Sequence, residues 1–244
     1  DGTHIAYTME VFPDANAAVT KKRLDERKQA RSSGRIYDRI FVRHWDTWKD
    51  GRRSHLFVRM TVGGAHPTAV AETGRSVAID VMPGMDADTP SLPYGGPEEI
   101  AFAPDDKGIV FAARDAGREE PWSTDFDLYY APLDGSQKPR CLTEDNRAWD
   151  THPVFSPDGK TLAYLAMARP GYEADQFRIV LQDWPSGRKR VLSEGWDRSA
   201  ASIAWSPDGS QILAIAENTG QDSLFAIDVK DGKARTLVKM GTVH

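Results

Sequence analysis

The stretch Phe155-Ser156-Pro157-Asp158-Gly159-Lys160-Thr161-Leu162-Ala163-Tyr164 decides the fold, because it is a hairpin signal that recurs along the chain. Pro157 presets φ for the second position of a turn, Ser156 and Asp158 can bond nearby backbone groups, and Gly159 accepts φ > 0. An apolar strand end precedes the turn, and the apolar run Leu162-Ala163-Tyr164-Leu165 follows it. Copies stand at Phe102-Ala103-Pro104-Asp105-Asp106-Lys107-Gly108-Ile109-Val110-Phe111 and at Trp205-Ser206-Pro207-Asp208-Gly209-Ser210-Gln211-Ile212-Leu213-Ala214. A shortened copy, Asp1-Gly2-Thr3-His4-Ile5-Ala6-Tyr7, opens the chain. The turn aspartates Asp105, Asp158 and Asp208 are 53 and 50 residues apart, a period in the range of propeller blades.

Each internal copy is followed by two more strand signals, at 127–135 with 140–143, 177–187 with 190–193, and 223–232 with 235–238. About four short strands per repeat predict an all-β fold: a β-propeller fragment of about four four-stranded blades, with one surface helix inserted in the first repeat. The repeats run at about 1–95, 96–146, 147–196 and 197–240.

Bulk composition agrees. The 244 residues, 40% hydrophobic and 27% charged, suit one all-β domain. A net charge of −5 argues against a general nucleic-acid or anionic-membrane partner, which calls for a strong basic face. No run of about 20 apolar residues is present, so no helix is expected to span a membrane. The single cysteine, Cys141, cannot form an internal disulfide, and cysteine usage leaves the compartment open. A chain that opens inside a turn and stops where another blade is due reads as a piece of a longer polypeptide.

The insertion in the first repeat starts with helix formers over 14–33, with Asp14 as a candidate cap and cations toward the far end. Lys21 with Asp25 and Lys22 with Glu26 are expected pairs. Seven basic and two acidic residues over 21–35 read either as a docking patch for an anionic partner or as a solvated helix face. In Tyr37-Asp38-Arg39-Ile40-Phe41-Val42-Arg43-His44-Trp45-Asp46-Thr47-Trp48, the clustered aromatic and cationic side chains either line a ligand pocket or fill the wedge between blades. His44, His55 and His66, eleven apart, match no metal-ligand spacing. The Pro/Gly-rich stretch 80–96 reads as a crossover between blades, in which Asp86 and Asp88 either hold a cation or belong to a solvated loop.

Self-contained catalytic motifs are missing. No two glycines stand four or two positions apart, which excludes Gly-x-Ser-x-Gly and Gly-x-Gly-x-x-Gly, and neither Cys-x-x-Cys nor His-Glu-x-x-His occurs. No catalytic residue, metal or cofactor is therefore assigned to this chain.

The repeats resemble two groups, the TolB-type binding propellers and the propeller half of the prolyl-oligopeptidase-family serine peptidases. The second resemblance is closer at three places. These are Glu10-Val11-Phe12-Pro13-Asp14 leading to Tyr37-Asp38; Arg43-His44-Trp45-Asp46-Thr47-Trp48; and Pro83-Gly84-Met85-Asp86-Ala87-Asp88-Thr89-Pro90 with Gly95-Gly96-Pro97-Glu98-Glu99. They are similar to the bacterial dipeptidyl-peptidase and acylaminoacyl-peptidase branch, and the resemblance covers essentially the whole chain.

That resemblance implies a seven- or eight-bladed propeller capping a C-terminal α/β-hydrolase domain that carries Ser, Asp and His. It also implies a peptide substrate reached through the longer enzyme, and a periplasmic or secreted location with a cytoplasmic one as the alternative. The propeller would gate access and hold the substrate's N-terminal end while dipeptides or acylated residues are released. A TolB-like binding scaffold without peptidase activity is the alternative. Four repeats alone leave an open arc whose end faces favour self-association.

For the charged α-amino group of a dipeptidyl-peptidase substrate, the candidate substrate-binding residues are Glu119, Glu120 and Trp122, adjacent carboxylates beside an aromatic on the acidic excursion 114–125. A unit charge pair at about 4 Å is worth roughly 4 kcal/mol at an effective dielectric of about 20. The excursion also reads as a solvated hairpin tip, and Glu98 and Glu99 are rivals.

Overall fold

The recurring turn closes as its side chains require. In the computed structural model, which describes residues 2–61, 78–185 and 187–238, Ser156 Oγ donates to Asp158 Oδ1 at 2.6 Å. The same oxygen accepts from Lys160 N–H at 3.1 Å, and Thr161 N–H donates back to Ser156 Oγ at 3.0 Å. Gly159 takes φ 70°. Ser206, Asp208, Gly209 and Gln211 repeat the pattern, and three N–H or O–H donors on Asp208 hold its carboxyl down at about 2. Asp106, at φ 56°, stands where the other copies have glycine. An aspartate tolerates this left-handed conformation better than most residues do.

These turns join strands into successive antiparallel sheets. The first contains β1 (His4–Val11), then the insertion with α1 (Ala17–Gln29) and the short hairpin β2 (Arg43–His44) and β3 (Thr47–Trp48), then β4 (Arg53–Met60) and β5 (Ile79–Asp80). Its order is β1-β4-β5, three strands among the described residues. The second sheet is β6 (Ile100–Phe102), β7 (Gly108–Ala113), β8 (Asp127–Pro132) and β9 (Arg140–Cys141). The third is β10 (Asp150–Phe155), β11 (Thr161–Ala166), β12 (Arg178–Asp183) and β13 (Lys189–Val191). The fourth is β14 (Ala200–Trp205), β15 (Gln211–Asn218), β16 (Gln221–Asp228) and β17 (Ala234–Val238). The fold is all-β with blade-like sheets, as the repeats imply.

Strand alternation builds the core between sheets. From β7, Ile109 and Phe111 pack with Leu56 and Val58 of the first sheet, while Val110 and Ala112 pack with Leu162 and Tyr164 of the third. From β11, Ala163 and Leu165 turn the other way, to Ile212 and Ala214 of the fourth. A strand with a neighbour on both faces must be apolar at every position, which explains the unbroken hydrophobic runs.

The helix starts later than the sequence suggests. Its cap is Asn16, whose Oδ1 accepts from Val19 N–H at 2.9 Å. Asp14 is not the cap, because Ala15 N–H closes a turn on the Phe12 carbonyl (2.9 Å) ahead of the helix, and Asp14 pairs with Arg23 at 2.7 Å. The Lys21–Asp25 (2.5 Å) and Lys22–Glu26 (3.9 Å) pairs are both formed. Arg27 lies 4.7 Å over the Phe12 ring and donates to the Asp50 carbonyl. With four of the seven basic residues over 21–35 engaged internally, the stretch supports the solvated-face reading.

Candidate functional site

Antiparallel order sorts the connections. In each four-stranded sheet the first-to-second and third-to-fourth turns share one end, so the second-to-third connections and the crossovers share the other; in the first sheet β1, directly after the shortened turn copy, takes the second-strand position. That second end gathers the insertion 12–52, the crossover 81–99, and the excursions 114–126 and 167–177.

Arg53 is the centre of this end. It opens β4 with its side chain 4% exposed. Its Nε donates to Asp86 Oδ1 (2.8 Å), Nη1 to Asp88 Oδ2 and Glu120 Oε1 (2.8 Å each), and Nη2 to Glu120 Oε2 (2.7 Å). Lys49 Nζ adds contacts of 3.6 Å to Glu120 and 3.8 Å to Asp88, and Arg39 binds Asp86 at 2.6 Å. Burial works against the charge on Arg53, but Glu120, Asp88 and Asp86 outweigh it and its pKa is raised. Burial likewise opposes the Glu120 carboxylate, and Arg53 outweighs it, so that pKa is lowered. The bidentate Arg53–Glu120 pair joins the first sheet to the excursion of the second.

Asp86 and Asp88 are thus neither a cation site nor a solvated loop. They are ion-paired to Arg53, and among the described residues no group of three or more His, Cys, Asp or Glu side chains is arranged to hold a metal. His55 is buried in β4, His44 is exposed at the hairpin, and His66 lies outside the described residues.

The two adjacent glutamates part company. Glu119 ends a 3₁₀ turn (Gly117–Glu119) and is exposed, whereas Glu120 turns inward to Arg53. Trp122, 67% exposed, follows on the same turn, its N–H bonded to the Glu119 carbonyl at 2.9 Å. Behind them Arg114 donates to the Ser123 carbonyl (2.7 Å) and lies 4.7 Å over the Phe126 ring. Gly171 N–H ties Thr124 to the next excursion at 2.8 Å. The turn therefore presents one free carboxylate and one aromatic face from a braced base. Of the rivals, Glu98 is exposed, while Glu99 is buried with both oxygens on Ser91 at 2.6 Å.

The aromatic hairpin β2–β3 fills no wedge. Trp45 at its tip is 72% exposed, with His44 at 4.7 Å on one side and Tyr94 of the crossover at 6.5 Å on the other. Arg39 and Lys49, flanking the hairpin, fasten it to the Arg53 cluster. Sequence reasoning singles out Glu119, Glu120 and Trp122 but passes over Arg53 and Lys49. Arg53 and Glu120 are 67 residues apart, and the available signal was a charged pair, Arg52-Arg53, shortly before the apolar run Leu56-Phe57-Val58. Cys141 offers no nucleophile, since burial pushes its thiol up to about 12.

No protein-family model matches the chain. Dipeptidyl-peptidase 5 of Porphyromonas gingivalis is 29% identical over 233 residues, 95% of this chain and 30% of that protein. A probable dipeptidyl-peptidase 5 of Emericella nidulans is 35% identical over 205 residues, 82% of this chain and 28% of that protein. The chain therefore spans about 30% of the length of the curated relatives it matches. Among solved structures, puromycin hydrolase superposes with TM-score 0.54 at 20% identity over 76% of this chain and 27% of that one. A putative TolB from Agrobacterium tumefaciens does so with TM-score 0.51 at 19% identity, over 78% of this chain and 59% of that one. Both likenesses concern the fold alone.

Proposed function

From the premise that this chain belongs to the propeller portion of the prolyl-oligopeptidase-family peptidases, we propose that it serves a longer serine exopeptidase as the wall that admits peptides and holds their N-termini. The dipeptidyl-peptidase 5 relatives, matched along nearly the full chain, favour release of dipeptides over acylated residues. The hydrolytic triad would belong to a C-terminal hydrolase domain, and the enzyme would work in the periplasm or outside the cell. The TolB-like scaffold has fold likeness alone in its favour.

The observation that carries the reading is the division of labour between Glu119 and Glu120. Glu120, locked by Arg53, cannot also neutralise a substrate ammonium without leaving a buried guanidinium partly unpaired. Glu119 is free to do so, and Trp122 beside it offers an apolar face to the first residues of the peptide. A hydrogen bond to a charged group is worth about 1.5–3 kcal/mol. In the full-length enzyme, Glu119→Gln should raise KM for free-amine dipeptide substrates by about tenfold to a hundredfold and leave N-blocked substrates nearly unchanged. Glu120→Gln should in addition lower Tm, because it removes one partner of a buried pair. Equal effects of Glu119→Gln on both substrate types would refute the anchor.

A further inference from the structure

Among the described residues, strand β4 has no complete strand neighbour on one edge. β5 pairs with Phe57 and Val58, and beyond it the crossover runs alongside β4 in place of a strand. Val81 N–H bonds the Leu56 carbonyl (3.0 Å), Thr89 N–H the Ser54 carbonyl (2.8 Å), and Ser54 N–H donates to Asp88 Oδ1 (2.8 Å). Within this ladder stands His55, fully buried and two residues from Arg53, so both side chains leave the strand on one side.

Both ring nitrogens of His55 face acceptors: Nδ1 is 2.9 Å from Asp80 Oδ2, and Nε2 is 2.9 Å from the Met85 carbonyl. A neutral imidazole has one N–H and would set a lone pair against one of these oxygens, whereas the imidazolium satisfies both. Asp80 also accepts from Met82 N–H at 2.8 Å, and Met85 N–H closes on the Met82 carbonyl at 3.1 Å, so the 80–85 turn is built on this one contact set. The next residues, Asp86 and Asp88, are those that hold Arg53.

We infer that His55 is a positioning residue for the Glu119 turn: as an imidazolium clasped between Asp80 and the Met85 carbonyl, it seats the crossover whose Asp86 and Asp88 orient Arg53 against Glu120. The inference rests on the proposed role of Glu119. The charged groups facing His55 are Asp80 at the end of β5, Asp88 of the crossover and, on its own strand, Arg53; Met9, opposite on β1, is uncharged. Burial disfavours the charge, but Asp80, the Met85 carbonyl and Asp88 outweigh it, so the pKa is raised. The clasp is then fully present below the unfolded histidine value, about 6.5, and is lost as pH rises through the higher folded value.

The test uses the full-length enzyme. Neutron diffraction at pH 5.5, below the unfolded histidine value of about 6.5, should place deuterium on both ring nitrogens of His55, and density on one alone overturns the inference. His55→Gln, neutral at every pH, should raise the ratio of KM for free-amine over N-blocked dipeptides about tenfold at pH 6.5, with kcat on blocked substrates little changed. It should also remove the wild-type rise of that ratio above neutral pH. If Glu119→Gln raises the ratio and His55→Gln does not, the positioning role is refuted and the anchor stands. If neither does, the anchor fails and the positioning role falls with it. Should His55→Gln not fold, the neutron map and the wild-type pH profile decide alone, a ratio flat from pH 6 to 9 counting against the inference.

Discussion

Two buried charges in this protein are handled in opposite ways. Arg53 stays ionised because carboxylates from the crossover and from the second sheet's excursion replace its water. Asp150, fully buried at the start of β10, has an amide for its partner: Asn146 Nδ2 lies 3.0 and 3.1 Å from its two oxygens. Burial pushes its carboxyl up to about 8. An unfolded aspartate titrates near 3.9, so between about pH 4 and 8 the folded state holds a proton that the unfolded state has released. Stability should therefore fall as pH rises through that window, and Asp150→Asn should flatten the slope. Urea unfolding at pH 5, 6.5 and 8 checks this; parallel curves for wild type and variant would contradict it. Neither state was legible in the sequence, since an aspartate in a strand does not announce which side chain will face it.

Among the elements, the hairpins were the most legible, because Ser-Pro-Asp-Gly chemistry closes within six residues and needs no distant partner. The helix was legible in existence but not in its cap, which a turn on Phe12 moved two residues on to Asn16. Equivalent turns also differ in what lies beside them. Gly159 and Gly209 share φ 70°, but a Cβ on Gly159 would stand 2.7 Å from Pro104 of the neighbouring turn, against 3.8 Å from Pro157 for Gly209. Left-handed backbone alone costs a residue other than glycine about 1–2 kcal/mol. Gly159→Ala should lose about 1–3 kcal/mol beyond what Gly209→Ala loses, from overpacking against Pro104. Chemical denaturation of the two variants measures the difference, and equal losses would show that the turns do not press on one another.

Among the described residues, the sheets pack side by side and leave two outer faces. On the first sheet Ile5, 55% exposed, and Tyr7 look outward, and on the fourth Leu237 and Val238 are exposed. Further blades of the proposed longer enzyme would cover such faces; the chain alone should associate through them. Sedimentation velocity of residues 1–244 should show concentration-dependent assembly that Ile5→Lys with Leu237→Lys suppresses, and unchanged assembly in that variant would place the contact elsewhere. The sequence by itself determined the all-β class, the recurring hairpins, the apolar strands and the family resemblance, since each depends on neighbours a few residues away or on a repeated pattern. Only the tertiary structure decided that Glu120 belongs to Arg53, that Asp86 and Asp88 pair with that same Arg53, that Trp45 points into solvent, and that Glu119 is left free. Those outcomes depend on which charges meet when blades pack, across separations of 33 to 67 residues that no local pattern encodes.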